Sequence, residues 1–390
     1  MTLYSVILFN NDGFDGLRRP RHILAERLSR MGHPVLFISF AVTHFTQRTK
    51  HRTLRFGGLK KIASMLYWYQ PPSFLPLSER ALFGKMTFLA RQILLKIVIG
   101  FTSKTNRVFF ISCPDEDSMS VLRKQTGVPV IYNIHDRLVD ATSGVWMDGH
   151  EELLRRADII LCGSHVLVAE IKAGTDKPVY YFPPGVDFEI FPRIVDLQKP
   201  RPAKKVVVGF IGSLGTQIDW RMLRAVATQM TDFEFRFIGP LTKSAKALLL
   251  LQDGDMPSNV HFEPTVTHER IPGIIAQFDV CIIPYLMNEY TSGINPLKLY
   301  EYMVFGMPIV SSPIPAVKDY EGLIYIASSI EDWKSQLRTA SLDHDEKKIR
   351  ARQKIAVDEG YENRTKQLIE LLQLPSFDLV TNDEPKRSAF

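Results

Sequence analysis

The chain has 390 residues, too long for one comfortable hydrophobic core and suited to two domains of roughly 150–200 residues each. Hydrophobic residues make up 45% and charged residues 23%, a globular balance that excludes a disordered, collagenous or coiled-coil chain. The net charge of +6 is unevenly spread: residues 48–107 hold twelve Lys or Arg and one acid, Glu79, so this window carries +11 and the remainder −5.

In chain order, Ser5 to Asn10 is a short apolar run that predicts a buried strand, followed by a glycine-containing turn with Asp12, Gly13 and Asp15. Residues 20–31 predict a helix, with Ile23, Leu24, Leu28 and Met31 on one face, and residues 35–40 predict the next strand. A basic and apolar insertion occupies 45–107, in which Lys and Arg are interleaved with the run 66–69 (LYWY), with Phe74 and Leu75, and with the stretch from Phe88 to Ile99. Three readings compete for this insertion. A nucleic-acid patch would use the same cations on phosphates and the aromatics for stacking. An anionic membrane surface would attract the cations while apolar groups dip below the headgroups. A helical subdomain with a solvated basic face is the plainest. The bulky aliphatics, on which bases do not stack, favour the membrane over nucleic acid.

Strands follow at 108–112, 128–134 and 159–162, with helical stretches ahead of each, and a polar, proline-bearing stretch at 198–203 reads as a linker. The pattern then restarts with a strand at 206–211, a Gly-Ser-Leu-Gly turn at 212–215 and a helix at 220–230. Strands at 233–238, 259–262 and 280–283, a helix at 296–305 and a strand at 308–311 come next, and one late helix spans about 345–372. Continuous apolar runs alternating with amphipathic helices indicate parallel strands in βαβ units. The fold class is therefore α/β, with two Rossmann-like domains facing each other across a cleft. The expected boundaries are 1–195 and 204–345, a carboxyl-terminal helix at 346–374 and a flexible tail at 375–390.

No apolar run of about 18 residues predicts a spanning helix, and the start lacks the basic n-region of a signal peptide. Cys113, Cys162 and Cys281 all sit in or at the end of apolar runs, which argues for reduced thiols in a cytoplasmic protein and against a disulfide or zinc framework.

The chemistry concentrates in residues 295–302, NPLKLYEY. Asn295 is a good helix cap and Pro296 suits the first helical position, so a helix start with free N–H groups is expected there. Such a terminus attracts phosphate. Lys298 in the first turn can reach an anion, and Glu301, three residues on, can accept both hydroxyls of a ribose. The competing reading is an i, i+3 ion pair on a solvated face. The glycine turn after the 206–211 strand is not GxGxxG and no ribose-binding acid follows, which weakens a dinucleotide reading. Two triplets, Asp115-Glu116-Asp117 and Asp253-Gly254-Asp255, invite a divalent metal, but both fall in polar loops where acids are common.

Several of these stretches resemble GT-B glycosyltransferases, especially the large family 4 and its bacterial polysaccharide-biosynthesis members. The likeness is carried by VGFIGSLGTQIDW (208–220), FRFIGP (235–240), FDVCIIPY (278–285), NPLKLYEYMVFGMPIVSS (295–312) and ARQKIAVDEGYENR (351–364). In the amino half it is carried by RRPRH (18–22), VIYNIHD (130–136), ADIILCGS (157–164) and PPGVDFEIF (183–191). The resemblance implies a nucleotide-sugar co-substrate, a UDP- or GDP-sugar, and no required metal. The donor would be held by Gly212, Ser213, Leu214, Thr265, Tyr285, Asn295, Leu297, Lys298 and Glu301, with Lys298 at the diphosphate and Glu301 at the ribose. Retaining members carry a first glutamate eight residues before the second; Gly293 stands there in this chain, and Glu289 is out of register, so retaining and inverting chemistry are both open. For an inverting transfer, Asp136 at the end of the 130–134 strand resembles the catalytic Asp of xanthan-type glucuronosyltransferases, with His135 as the rival base. Asp12, Gly13 and Asp15 would position the acceptor.

The expected protein is thus a cytoplasmic glycosyltransferase on the inner face of the membrane, held to the anionic surface through residues 48–107. It would pass a sugar to a lipid-linked glycan in cell-surface polysaccharide biosynthesis, without a nucleic-acid partner. A non-catalytic sugar-nucleotide-binding or membrane adaptor protein on the same fold is the alternative.

Overall fold

The computed structural model describes residues 2–10, 13–14, 18–39, 57–72, 82–102, 106–125, 127–137, 146–193, 205–250 and 256–374. The chain divides into two compact units. The first comprises Met1–Gly163, Leu167–Phe182 and Arg364–Phe390, and the second Ser164–Val166 and Pro183–Asn363.

The strands of the first unit are β1 (Ser5–Asn10), β2 (Val35–Ser39), β3 (Gly58–Ala63), β4 (Leu66–Gln70), β5 (Arg107–Ile111), β6 (Val130–Ile134), β7 (Ile159–Cys162) and β8 (Val179–Tyr181). They form one sheet in the order β3-β4-β2-β1-β5-β6-β7-β8. Every neighbouring pair is parallel except the antiparallel β3–β4 pair at the edge. The helices are α1 (Pro20–Arg30), α2 (Leu82–Thr102), α3 (Glu116–Lys124), α4 (His150–Arg156) and α5 (His165–Gly174). Apart from the largely exposed edge strand β3, alternate residues of the strands feed two cores. Val6, Leu8, Phe37 and Phe110 pack with Leu24 and Leu28 of α1. Ile7, Phe9, Phe109 and Ile111 pack with residues of α2 to α5. Burial on both faces explains why these strands read as unbroken apolar runs.

Within the 45–107 stretch, the structure departs from a single surface patch. The run Leu66-Tyr67-Trp68-Tyr69 is strand β4, and Leu66, Trp68 and Tyr69 are buried in the sheet, so these aromatics are core and not membrane-facing. Residues 48–56 lie outside the described residues.

The second unit contains β9 (Val206–Ile211), β10 (Phe233–Ile238), β11 (Val260–Glu263), β12 (Val280–Ile283), β13 (Ile309–Ser311) and β14 (Tyr325–Ile326), an all-parallel sheet in the order β11-β10-β9-β12-β13-β14. Numbered within the sheet this is the 3-2-1-4-5-6 order of a Rossmann fold, whose ligands bind beyond the carboxyl ends of the strands where the order reverses, here between β9 and β12. Its helices are α6 (Trp220–Gln229), α7 (Lys243–Leu250), α8 (Ile271–Ile275), α9 (Glu289–Ser292), α10 (Leu297–Val304), α11 (Pro315–Lys318), α12 (Ile330–Ser341) and α13 (Glu346–Asp358).

The late helix expected as one piece is two, α13 and α14 (Tyr361–Leu372). The break falls at Glu359-Gly360, where Val186 N donates to Glu359 O (3.0 Å) and Tyr361 N donates to Val186 O (3.0 Å). Those backbone groups are thereby taken from the helical ladder. The last residues of α14 belong to the first unit's core, through Leu368, Ile369, Leu371 and Leu372.

Candidate functional site

Of the donor residues expected in the second unit, Gly212, Tyr285 and Lys298 meet at the β9/β12 reversal. β9 ends at Ile211, and Gly212 follows with φ +145°, a conformation that L side chains rarely adopt. Gly212 N donates to Ile238 O at the end of β10 (2.9 Å), and a Cβ on Gly239 (φ +141°) would lie 2.0 Å from Gly212 O. The two turns therefore touch backbone to backbone, and only glycine allows it. Leu214 is buried, with its N–H donating to Pro240 O (3.0 Å), while Ser213 is exposed at the tip.

Tyr285, two residues beyond β12, and Lys298, in the first turn of α10, meet at this turn. Lys298 Nζ donates to the Tyr285 hydroxyl at 2.9 Å and lies 4.9 Å from the centre of the Phe210 ring. A Cβ on Gly212 would come within 3.1 Å of Lys298 Cε. The ammonium is held over two aromatic faces, which orders a long side chain before any ligand arrives. One turn further along, Glu301 is buried. Burial raises its carboxyl to about 7, against the opposing charge of Lys298.

The cap of α10 differs from the expectation. Pro296, extended at φ −75° and ψ 119°, is the N-cap, and the helix begins at Leu297. Asn295 stands one residue ahead, buried, and its Oδ1 accepts from the Tyr300 hydroxyl (3.1 Å). Asn295 thus fixes the approach to the helix instead of capping it. Leu297 is half-buried, and Thr265 is exposed in the loop after β11. Gly293 ends the short helix α9, and Glu289 opens that helix on an exposed surface.

Tyr302 is a residue the sequence reading missed. Its buried hydroxyl accepts from Ile211 N (3.1 Å), so α10 props the end of β9 directly beneath the glycine turn. Its place four residues after Lys298, on the same side of the helix, was the available signal.

In the first unit the strand order reverses between β1 and β5. Gly13 follows β1 and is half-buried; Asp12 and Asp15 lie outside the described residues. His135 and Asp136 follow β6, one strand beyond the reversal, and both are partly buried. Burial lowers the pKa of His135, with the Asp136 charge opposing that shift and Arg21 adding to it. At the end of β6 the chain is crowded: a Cβ on Gly163 would lie 2.3 Å from His135 O. Arg137 is paired with Glu170.

The Asp115-Glu116-Asp117 triplet is committed to structure. Asp115 Oδ1 accepts from Asp117 N (2.8 Å) and Ser118 N (3.2 Å), capping α3, and Asp117 pairs with buried Arg91 (3.1 Å). Burial raises the Asp115 carboxyl to about 7. Among the described residues no group of three or more His, Cys, Asp or Glu is arranged to hold a metal ion.

Two units with parallel, doubly covered sheets, the second carrying a Rossmann-type ligand edge, are the two-domain α/β architecture of GT-B proteins. Residues 205–341 match the family described as Glycosyl transferases group 1. The solved structures confirm the fold over almost the whole chain. A sucrose-phosphate synthase from Thermosynechococcus elongatus superposes with a TM-score of 0.70 at 15% identity, covering 95% of this chain and 98% of that one. An E. coli structure described as trehalose-6-phosphate bound with UDP-2-fluoro glucose gives 0.68 at 11% identity, covering 95% and 99%. Among curated proteins, the "Putative teichuronic acid biosynthesis glycosyltransferase TuaH" of Bacillus subtilis (strain 168) is 28% identical over 171 residues. That match spans 42% of this chain and 42% of the relative, less than half the length of either.

Proposed function

We propose that the protein is a glycosyltransferase that takes its sugar from a nucleoside diphosphate-sugar. The observation that carries this reading is the meeting of the Gly212 turn, Tyr285, Lys298 and Glu301 beyond the β9/β12 reversal. Lys298 and the N–H groups at the start of α10 neutralise the diphosphate as the glycosidic bond breaks. Glu301 accepts the ribose hydroxyls, and the 212–214 loop lies against the phosphate or sugar. Thr265 meets the base. In an inverting transfer, Asp136 removes the proton of the acceptor hydroxyl, whose oxygen bonds to the anomeric carbon as the bond to the departing diphosphate breaks. His135, whose pKa burial lowers, is the second candidate for that step. Gly13, with Asp12 and Asp15, would orient the acceptor.

The acceptor we infer is a lipid-linked glycan in cell-surface polysaccharide assembly, met at the cytoplasmic face of an anionic membrane. The +11 window at 48–107 and the name of the Bacillus relative support this. No described helix is long and apolar enough to cross a membrane.

Thermal shift against UDP-, GDP-, TDP- and ADP-sugars, with and without EDTA, tests the donor site. One nucleotide class should raise the midpoint by several degrees, since ligand at 100 times its dissociation constant adds about 2.7 kcal/mol. Flat curves from the folded protein would overturn the reading. A non-catalytic sugar-nucleotide-binding protein is favoured by one observation, Gly293 at the first-glutamate position. Binding without any transfer, to water or to a glycan acceptor, would establish it.

A further inference from the structure

Helix α2 is apolar on two opposite faces, and the described residues cover only one. At about 100° per residue, Arg91, Gln92, Leu95, Val98 and Ile99 fall on the inner side, and all are buried. Leu95, Val98 and Ile99 pack with Ile7, Phe9, Leu36 and Ile38 of the sheet. Arg91 pairs with Glu116 (2.7 Å) and Asp117 (3.1 Å), and Gln92 Nε2 donates to Asp117 Oδ1 (2.8 Å). This buried polar cluster ties α2 to α3 and fixes which way the helix faces.

The outer side carries Met86, Leu89, Ile93, Ile97 and Phe101, at steps of three or four residues. They are 65%, 58%, 52%, 61% and 70% exposed, and Leu94 beside them is 39% exposed. A helix on the surface of a soluble domain normally turns charged and polar groups outward. Here the described charge on that side is Lys96, at the flank of the stripe. A contiguous exposed apolar surface of this kind marks an interaction site.

Charge decides between the candidate occupants. Helix α2 contains no Asp or Glu, and the window 48–107 holds twelve cations against one acid, with Arg91 alone among the described cations spent on the buried α2–α3 cluster. Lys60 and Lys61 on the edge strand β3 are exposed as well. A second copy seated on α2 would bring an equally basic window against this one, which like-charge repulsion opposes. An anionic lipid leaflet offers both a sink for the stripe and counter-charges for the cations of this window.

We propose that α2 is an in-plane membrane anchor, whose Met86–Leu89–Ile93–Ile97–Phe101 stripe lies below the headgroups of an anionic leaflet. The inference rests on the membrane reading above and changes its physical basis. Insertion of the apolar stripe holds the protein, and the cations steer it and select the leaflet.

Vesicle flotation tests this, using phosphatidylcholine with and without phosphatidylglycerol, at low and high salt. The wild-type protein should float with the phosphatidylglycerol vesicles and keep most of that binding in high salt, because apolar insertion is not screened. The triple variant Leu89→Gln, Ile93→Gln, Ile97→Gln should lose about tenfold or more of it. Wild-type flotation of the triple variant, or complete release of the wild type by salt, would overturn the anchor. So would a wild-type dimer in light scattering that the triple variant abolishes. A variant Ile97→Cys supplies a readout that leaves the rest of the stripe intact. Cys113, Cys162 and Cys281 are buried, so an environment-sensitive dye reacts at position 97. Its emission should shift to the blue on the anionic vesicles, and an unshifted spectrum on bound protein contradicts insertion. The nucleotide-sugar thermal shift, measured on the triple variant, should stay unchanged, which separates failure of the anchor from failure of the donor site.

Discussion

Lys298 and Glu301 share one turn of α10, yet their environments set opposite electrostatic problems. Lys298 is half-buried and spans the glycine turn to the Tyr285 hydroxyl. Lys298→Ala should abolish the nucleotide-induced thermal shift, whereas Tyr285→Phe, which removes one hydrogen bond to the ammonium, should weaken donor affinity about fivefold, near 1 kcal/mol. Equal effects from both changes would mean that Tyr285 contacts the donor itself. Glu301 is buried deeply enough that its carboxyl keeps a proton up to about 7. In the unfolded chain the same group ionises in the ordinary carboxylate range. Between those two values the folded state binds a proton that the unfolded state has released, so stability falls as pH rises and levels off above about 7. Glu301→Gln should remove that loss. Urea midpoints at about pH 5 and about pH 8 should show the variant gaining on the wild type at the higher pH. A constant difference would place the Glu301 charge elsewhere. The same group illustrates what sequence left hidden: NPLKLYEY marks the positions of Lys298 and Glu301, but the solvated Lys–Glu pair it equally allows is excluded only by burial.

At the scale of elements, parallel strands were legible because burial on both faces leaves uninterrupted apolar runs. Edges and caps were less so. The β4 run Leu66 to Gln70 carries exposed basic neighbours, Lys60 and Lys61, and that context disguised a core strand as part of a surface patch. The break between α13 and α14 depends on pairing of Glu359 and Tyr361 with Val186, more than 170 positions away, a contact that no local periodicity reveals. Helix α13 is tied to the end of α10 by another long-range group. Fully buried Arg352 donates to Gly306 O (3.0 Å) and Leu323 O (2.8 Å) and pairs with buried Asp343. Arg352→Met keeps volume but leaves the Asp343 charge and two carbonyls without their donor, so it should cost about 3–5 kcal/mol. The double change Arg352→Met, Asp343→Asn should recover part of that loss in urea unfolding. No recovery would assign the cost to the two carbonyls.

At the scale of the molecule, two Rossmann-like halves were legible from the restart of the strand–helix pattern after the polar stretch at 198–203, and the parallel sheets follow from it. The path of the chain end was not legible, because its apolar residues suit a helix packed on either half. The contacts divide α14 itself: Tyr361–Asn363 stay with the second unit, and Arg364 onward counts with the first. There, Leu368, Ile369, Leu371 and Leu372 are buried beside Tyr4, Leu24 and Leu28, and Gln367 Nε2 donates to Tyr181 O (3.0 Å). Burying four leucine or isoleucine side chains at about 1.5–3 kcal/mol each amounts to about 6–12 kcal/mol. That is comparable with the whole stability of a domain, about 5–15 kcal/mol. Ending the chain after Asn363 should therefore unfold the first unit and spare the second, whose sheet and proposed donor residues all precede the cut. Limited proteolysis read by mass spectrometry should show cleavage spreading through residues 2–182 while 205–363 stays protected. The nucleotide-sugar thermal shift should persist. Uniform protection of both regions would show that the first unit closes its core without the returning segment, and uniform cleavage would show that the two units unfold together.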